Sequence, residues 1–198
     1  MADRRNLFHN ILNNPRVFLF IRAILDGGQI RHLKRVLEEY AVTSVLDIAC
    51  GCGNFSKITR NTYLGIDYNP AFIAFCEKRY AGSPNRRFFV MDASNMELGS
   101  RFDTAIIINS IHHFEDGEVE SILSSMRSAA QRLVIVHDAV PRKNPVSRFF
   151  YGLDRGTNFR SMEQQRRLIE GASLEIREVR YLKTFPGIYL HSTVICAV

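Results

Sequence analysis

Apolar positions along the chain fall into short unbroken runs separated by longer amphipathic stretches. Residues 15–40 carry helical spacing. Pro15 suits a first turn and Gly27-Gly28 a stop, after which 29–40 predicts a second helix with Ile30, Leu33, Leu37 and Tyr40 on one face. From Ser44 the texture changes. Residues 45–49 predict a buried strand running into a glycine turn, and 63–67, 87–91, 104–108 and 133–136 predict four more. The run 104–108 is apolar throughout, which implies cover on both faces. Helices fit 70–81, opened by Asn69-Pro70, then 117–130, and 161–171, capped by Ser161 and closed by Gly171. Two strands near 174–184 and 188–197, joined by Phe185-Pro186-Gly187, predict an antiparallel hairpin. Strands alternating with helices predict an α/β architecture, a parallel sheet with helices on both faces. Only 139–160 breaks the rhythm, and it reads as an insert after the fifth strand.

Composition narrows the class without naming a chemistry. The 198 residues suit one domain, and 46% apolar content is that of an ordinary globular chain. No apolar run approaches the length of a membrane span, and Val17–Ile21 is hemmed by Arg16 and Arg22, so the expected location is cytoplasmic. Cys50, Cys52, Cys76 and Cys196 lack zinc-site spacing and read as small core or loop thiols, with no metal expected. The net charge of +6 is uneven. Residues 1–43 carry seven basic and four acidic side chains, 139–160 five basic and one acidic, and the remainder is close to neutral. Such a field favours an anionic partner.

The glycine turn is the first chemical signal. A strand, a glycine turn and a helix cradle nucleotides. Here Ser56 stands where a dinucleotide fingerprint wants a third glycine in Gly51-Cys52-Gly53-Asn54-Phe55-Ser56. Asp47 at the loop mouth would repel a pyrophosphate and suits a ligand with a cationic amino group or sulfonium. Asp67, twenty residues on, ends the next strand, where a carboxylate accepts ribose hydroxyls. Together they favour adenosine with a positive amino-acid tail over a dinucleotide, and disfavour a nicotinamide oxidoreductase.

These residues resemble the motifs of class I S-adenosylmethionine-dependent methyltransferases. Residues 45–53 look like the first motif, 64–70 the second, Val90-Met91-Asp92-Ala93 the third and 102–114 the fourth, with Ala49 standing where glycine is commonest. The resemblance implies a three-layer, Rossmann-like sandwich around a seven-stranded, mostly parallel sheet with one antiparallel strand. It divides the single domain into N-terminal cap helices (1–43), a cofactor-binding core (44–140), a lid-like insert (139–160) and a closing helix and hairpin (161–198). It implies that Asp47 and the backbone of Ala49, Gly51 and Gly53 hold the methionine part, and that Asp67 binds the ribose with Tyr68 against adenine. Asp92 and Ala93 would read the adenine amino group, and Asn109 and Ser110 would lie under the sulfonium. S-adenosylmethionine is then the cofactor and S-adenosylhomocysteine the product.

The methyl acceptor is less legible. A general base for a hydroxyl must lie at the carboxyl ends of the fourth and fifth strands, which offers His112, His113 and Asp138, with His137 facing the other way. There is no Asn/Asp-Pro-Pro-aromatic turn, no nucleophilic cysteine near those strands and no appended RNA-binding module. Nucleic acid is therefore disfavoured against a small-molecule acceptor, most simply an oxygen nucleophile. An acidic, phosphorylated or lipid-linked acceptor, reached by peripheral membrane contact, fits the charge. Tyr151, Arg155 and Arg160 would bind it in a lid, with Phe149 and Phe150 adding aromatic surface. The alternatives are a nucleic-acid-modifying methyltransferase and a catalytically silent cofactor-binding protein. Oligomeric state has no sequence signal.

Overall fold

The computed structural model describes residues 14–17, 19–20, 26–96, 98–142, 144–147, 151, 156–184, 187 and 189–198. Its elements follow the predicted order: α1 (Gln29–Glu39), β1 (Ser44–Ile48), β2 (Thr62–Asp67), α2 (Pro70–Tyr80), β3 (Arg86–Val90), β4 (Phe102–Ile108), α3 (Asp116–Ala129), β5 (Ala130–Val140), α4 (Met162–Gly171), β6 (Glu175–Lys183) and β7 (Leu190–Ala197). The strands form one seven-stranded sheet in the order β3-β2-β1-β4-β5-β7-β6. The first five are parallel, and β7 runs antiparallel to both its neighbours.

Alternation along the strands builds two cores. On one face Val45, Tyr63, Ile106 and Ile135 pack under α1 and α2 through Leu33, Val36, Ile73 and Cys76. On the other, Leu46, Ile66, Ile107 and Val136 meet α3 and α4 through Ile122, Met126, Leu168 and Ile169. β4 is buried at every position, as its unbroken apolar run implies. Burying a branched aliphatic side chain contributes about 1.5–3 kcal/mol, so these two layers supply most of the cohesion.

Local chemistry starts the helices. Asn69 caps α2 by accepting from the Ala71 N–H (3.0 Å), with Pro70 in the first turn. Ser161 and Gln164 form a reciprocal capping box on α4, and Glu115 with Glu118 does the same for α3. After the glycine turn the chain forms a 3-10 segment, Asn54–Ile58. Two expectations are corrected. The fifth strand is eleven residues long, because pairing with both β4 and β7 carries it past the apolar run. At the end of α4 the left-handed residue is Ser173 (φ 57°), and Gly171 is the last helical one.

Candidate functional site

The sheet order reverses between β1 and β4, so the chain connections leave these two neighbours in opposite directions and open a crevice at their carboxyl ends. The sequence-predicted residues of the core gather on this edge of the sheet.

The turn after β1 is built from alternating left-handed residues: Ala49 (φ 56°), Gly51 (φ 56°) and Gly53 (φ 68°). Glycine takes this conformation freely, whereas Ala49 costs about 1 kcal/mol, which explains why glycine suits that position. Asp67 braces the turn. Its Oδ2 accepts from the Gly51 N–H (2.8 Å) and its Oδ1 from the Asn69 N–H (2.9 Å), while burial raises its carboxyl above the ordinary range. Asp47, 1% exposed, accepts a short hydrogen bond from the Tyr63 hydroxyl; burial pushes its pKa up to about 7. No cationic side chain of the described residues offsets that burial for either acid. Two buried carboxylates at one mouth, without a cation of their own, fit a ligand that brings positive charge.

Further along the edge, Asp92 is exposed, with Oδ1 accepting from the Ser94 N–H and hydroxyl, which hold its carboxyl below the usual range. Ala93 is half-buried beside it. Tyr68, Phe89 and Val90 are exposed at this end of β2 and β3, an apolar surface next to the acids. Beyond β4, Asn109 is left-handed (φ 51°) and gives its side-chain N–H to Gln29 Oε1 (2.7 Å). Ser110 turns its hydroxyl back to the Ile108 carbonyl (3.0 Å).

His112 and Asp138 form a pair. The ring Nδ1 lies 2.6 Å from Asp138 Oδ1, and the His112 backbone N–H donates to Oδ2 (3.1 Å). Burial works against the Asp138 charge, yet the His112 ring and the Ala139 N–H outweigh it and hold the carboxyl below its ordinary value. The ring of Phe159 stacks on His112 at 4.7 Å, and the Asn158 N–H donates to the His112 carbonyl (3.0 Å). Gly156 passes so close that a Cβ there would sit 2.1 Å from His112 Cδ2. His113 is exposed on the far side of its neighbour's ring. His137, as expected, points to the opposite face, toward Gln29 and Thr193.

The lid residues separate. Arg160 is buried and turned into the protein: its donors go to Asp116 and to the Ile111, Phe114 and Asn158 carbonyls. A guanidinium has five N–H donors, and these bonds use them. The expected substrate-binding role of Arg160 is therefore corrected to that of a clamp on the His112 turn. Tyr151 gives its hydroxyl to the Val140 carbonyl (3.0 Å) and packs its ring on Phe159 and Tyr189. Phe149, Phe150 and Arg155 lie outside the described residues. Gln29, Tyr63, Gly156 and Phe159, which touch the candidate residues Asn109, Asp47 and His112, were missed by sequence reasoning. Tyr63 was readable as an aromatic in β2, but its partner across the sheet was not.

The four cysteines are buried free thiols, and burial pushes those of Cys52 and Cys76 up to about 12, far from the reactive thiolate range. Among the described residues no helix is long and apolar enough to cross a membrane.

Residues 45–132 match the methyltransferase domain family. Comparison with the curated proteins gives no match. Among solved structures, magnesium protoporphyrin IX methyltransferase from Synechocystis PCC 6803, with bound S-adenosylhomocysteine, is 16% identical and superposes with a TM-score of 0.73, over 97% of this chain and 98% of that one. A S-adenosylmethionine-dependent methyltransferase from Clostridium acetobutylicum is 13% identical, with a TM-score of 0.70 over 98% of both chains. Human N-acetylserotonin methyltransferase, in complex with S-adenosylmethionine, is 15% identical, with a TM-score of 0.73 over 96% of this chain and 58% of that one. At these identities the likeness is one of fold, and it agrees with the domain match and with the order of the four motifs along the strand ends. The fold is the Rossmann-like α/β fold of S-adenosylmethionine-dependent methyltransferases, and the methyltransferase domain match covers residues 45–132 of the 198.

Proposed function

We propose that this protein transfers a methyl group from S-adenosylmethionine to an oxygen atom of a small-molecule acceptor. The observation that carries the cofactor half is the pair of buried acids, Asp47 and Asp67, at the mouth of the left-handed turn with no cation of their own. Asp47 and the Ala49, Gly51 and Gly53 backbone would hold the charged methionine end. Asp67 would take the ribose hydroxyls, with Tyr68, Asp92 and Ala93 around the adenine and Asn109 and Ser110 below the sulfonium. When bound, the cofactor supplies a methyl group on a positively charged sulfur, open to in-line displacement. The chain contributes by holding an acceptor in line and keeping water out.

The oxygen reading rests on the His112–Asp138 pair at the ends of β4 and β5. Asp138 fixes the ring through Nδ1, and in this reading Nε2 would receive the hydroxyl proton. A positioned base adds about 10²–10⁴-fold for such an acceptor. Small-molecule acceptors are also what the names of structural neighbours carry, a porphyrin and N-acetylserotonin among them. An anionic acceptor draws on the basic charge of 1–43 and 139–160 and on Arg155, but no longer on Arg160.

Calorimetry with S-adenosylmethionine and S-adenosylhomocysteine tests the first half. Transfer of a labelled methyl group to a panel of phenols, carboxylic acids and amines tests the second. Binding with Asp67-dependent affinity, and labelled phenols or acids only, is expected. Labelled amines, unaffected by His112→Gln, would overturn the oxygen reading.

A further inference from the structure

Behind Asn109 lies a buried polar row that the proposed chemistry does not use. Gln29, at the first position of α1, is 1% exposed. Gly28, left-handed at φ 99°, turns the chain into the helix there, and Asp26 caps the first amides. Gln29 Oε1 accepts from Asn109 Nδ2 (2.7 Å) and stands 3.2 Å from His137 Nε2. His137 Nδ1 is 2.8 Å from Thr193 Oγ1, and the same hydroxyl oxygen is 2.8 Å from His32 Nε2. Four elements, α1, the end of β4, β5 and β7, thus share one row of polar side chains, beside the backbone pairing that joins the strands.

The directions of these bonds follow from one atom. An amide oxygen only accepts, so His137 Nε2 must carry a proton toward Gln29. With a single proton on the ring, Nδ1 is then the acceptor. Thr193 has a single hydroxyl proton, which goes to that nitrogen. Its oxygen must in turn accept from His32 Nε2–H. At the other end Asn109 gives one of its two amide N–H groups to Gln29.

We propose that Gln29 is a positioning residue which, through this one-way chain from His32, holds the Asn109 amide with its oxygen toward the cofactor's sulfonium. A carbonyl oxygen beside a positive sulfur and its methyl favours the charged cofactor over the neutral product. The inference rests on the cofactor reading above, and it adds discrimination between S-adenosylmethionine and S-adenosylhomocysteine as the task of this row. Backbone geometry alone does not set it: with the same left-handed Asn109, either end of the amide could face the crevice. The amide's orientation is decided by Gln29.

Two measurements test it. Nitrogen-15 chemical shifts of the His137 ring in the full chain should report a protonated Nε2 and a bare Nδ1. Calorimetry with the two ligands should show Gln29→Met losing affinity for S-adenosylmethionine by about fivefold more than for S-adenosylhomocysteine, the scale of one oriented hydrogen-bonding group. Thr193→Val, which keeps the shape of the side chain and removes its proton, should move the ratio in the same direction and shift the His137 tautomer. It serves if Gln29→Met does not fold. Equal losses for both ligands, or a protonated Nδ1 in the wild-type protein, would overturn the positioning role. Wild-type protein that binds neither ligand would instead sink the cofactor reading, and the ring shifts would still decide the chain of bonds.

Discussion

Asp47 in β1 and Asp138 in β5 are each 1% exposed and lie on either side of β4, yet their carboxyls are driven in opposite directions. Asp47 has a phenol and a neighbouring acid for company, and burial raises it to about 7. Asp138 has the His112 ring and two backbone N–H groups, and it is held below the ordinary value. Equal burial therefore gives opposite outcomes, and the partner decides. On the β1 side no cationic side chain of the described residues compensates the burial. On the β5 side the compensation is already part of the fold.

The sharpest way to break this contrast is to delete the self-sufficient acid. Asp138→Ala leaves the His112 and Ala139 N–H groups and a buried ring without their acceptor, and should cost about 3–5 kcal/mol in urea denaturation. A loss below about 1 kcal/mol would mean the pair is not part of the fold's cohesion. Next comes Asp67→Ala, which removes the brace on the Gly51 turn and the proposed ribose acceptor. S-adenosylhomocysteine affinity should drop on the order of 100-fold by calorimetry, about 2.7 kcal/mol, and an unchanged affinity would remove Asp67 from the site.

The third prediction uses pH. Asp47 has a folded-state pKa above its unfolded one, so its contribution favours the folded state below about pH 4 and is lost as pH rises to about 7. Relative to Asp47→Asn, wild-type stability should fall across that window. Ligand affinity should run the other way, weakening in wild type as pH drops below about 7 and changing less in the variant. Asp138 has the opposite sign: its contribution is present above the ordinary carboxylate range and is lost as pH falls through its depressed value. Parallel pH profiles for Asp47→Asn and wild type would erase the contrast. The smallest effect is expected of Tyr68→Ala. The ring is 75% exposed, so a fewfold loss of affinity, under about 1 kcal/mol, with no change in melting temperature should follow.

How much of this was legible beforehand depended on range along the chain. The five parallel strands, the closing hairpin and the caps Asn69 and Ser161 are local patterns, and apolar runs and turn chemistry carry them. The acids at the strand ends were legible because their spacing encodes the β1–β2 step. Gln29 was not: its partners are 80 and 108 residues away, and a glutamine at a helix start looks like any surface residue. Arg160 misled for a related reason. An arginine in a basic insert resembles a ligand clamp until the carbonyls of Ile111 and Phe114 are brought beneath it by folding. Gly156 carried no turn signal, since what requires it is the approach of the His112 ring and not its own backbone angles.

The outermost strand β6 has a bearing on how copies of this chain behave toward each other. An uncovered strand offers its backbone to any other, and sheets can grow by that route. Here the strand reads Glu-Ile-Arg-Glu-Val-Arg-Tyr-Leu-Lys, with Glu175, Arg177 and Lys183 exposed and Arg180 ion-paired both to Glu178 and to Glu39 on α1. Charged side chains along an edge disfavour docking of a second chain there, because they would have to give up water. The hairpin end of the molecule is thus built to resist aggregation at high concentration, and lysine or glutamate replaced there by valine should show first as turbidity on heating, before any loss of ligand binding.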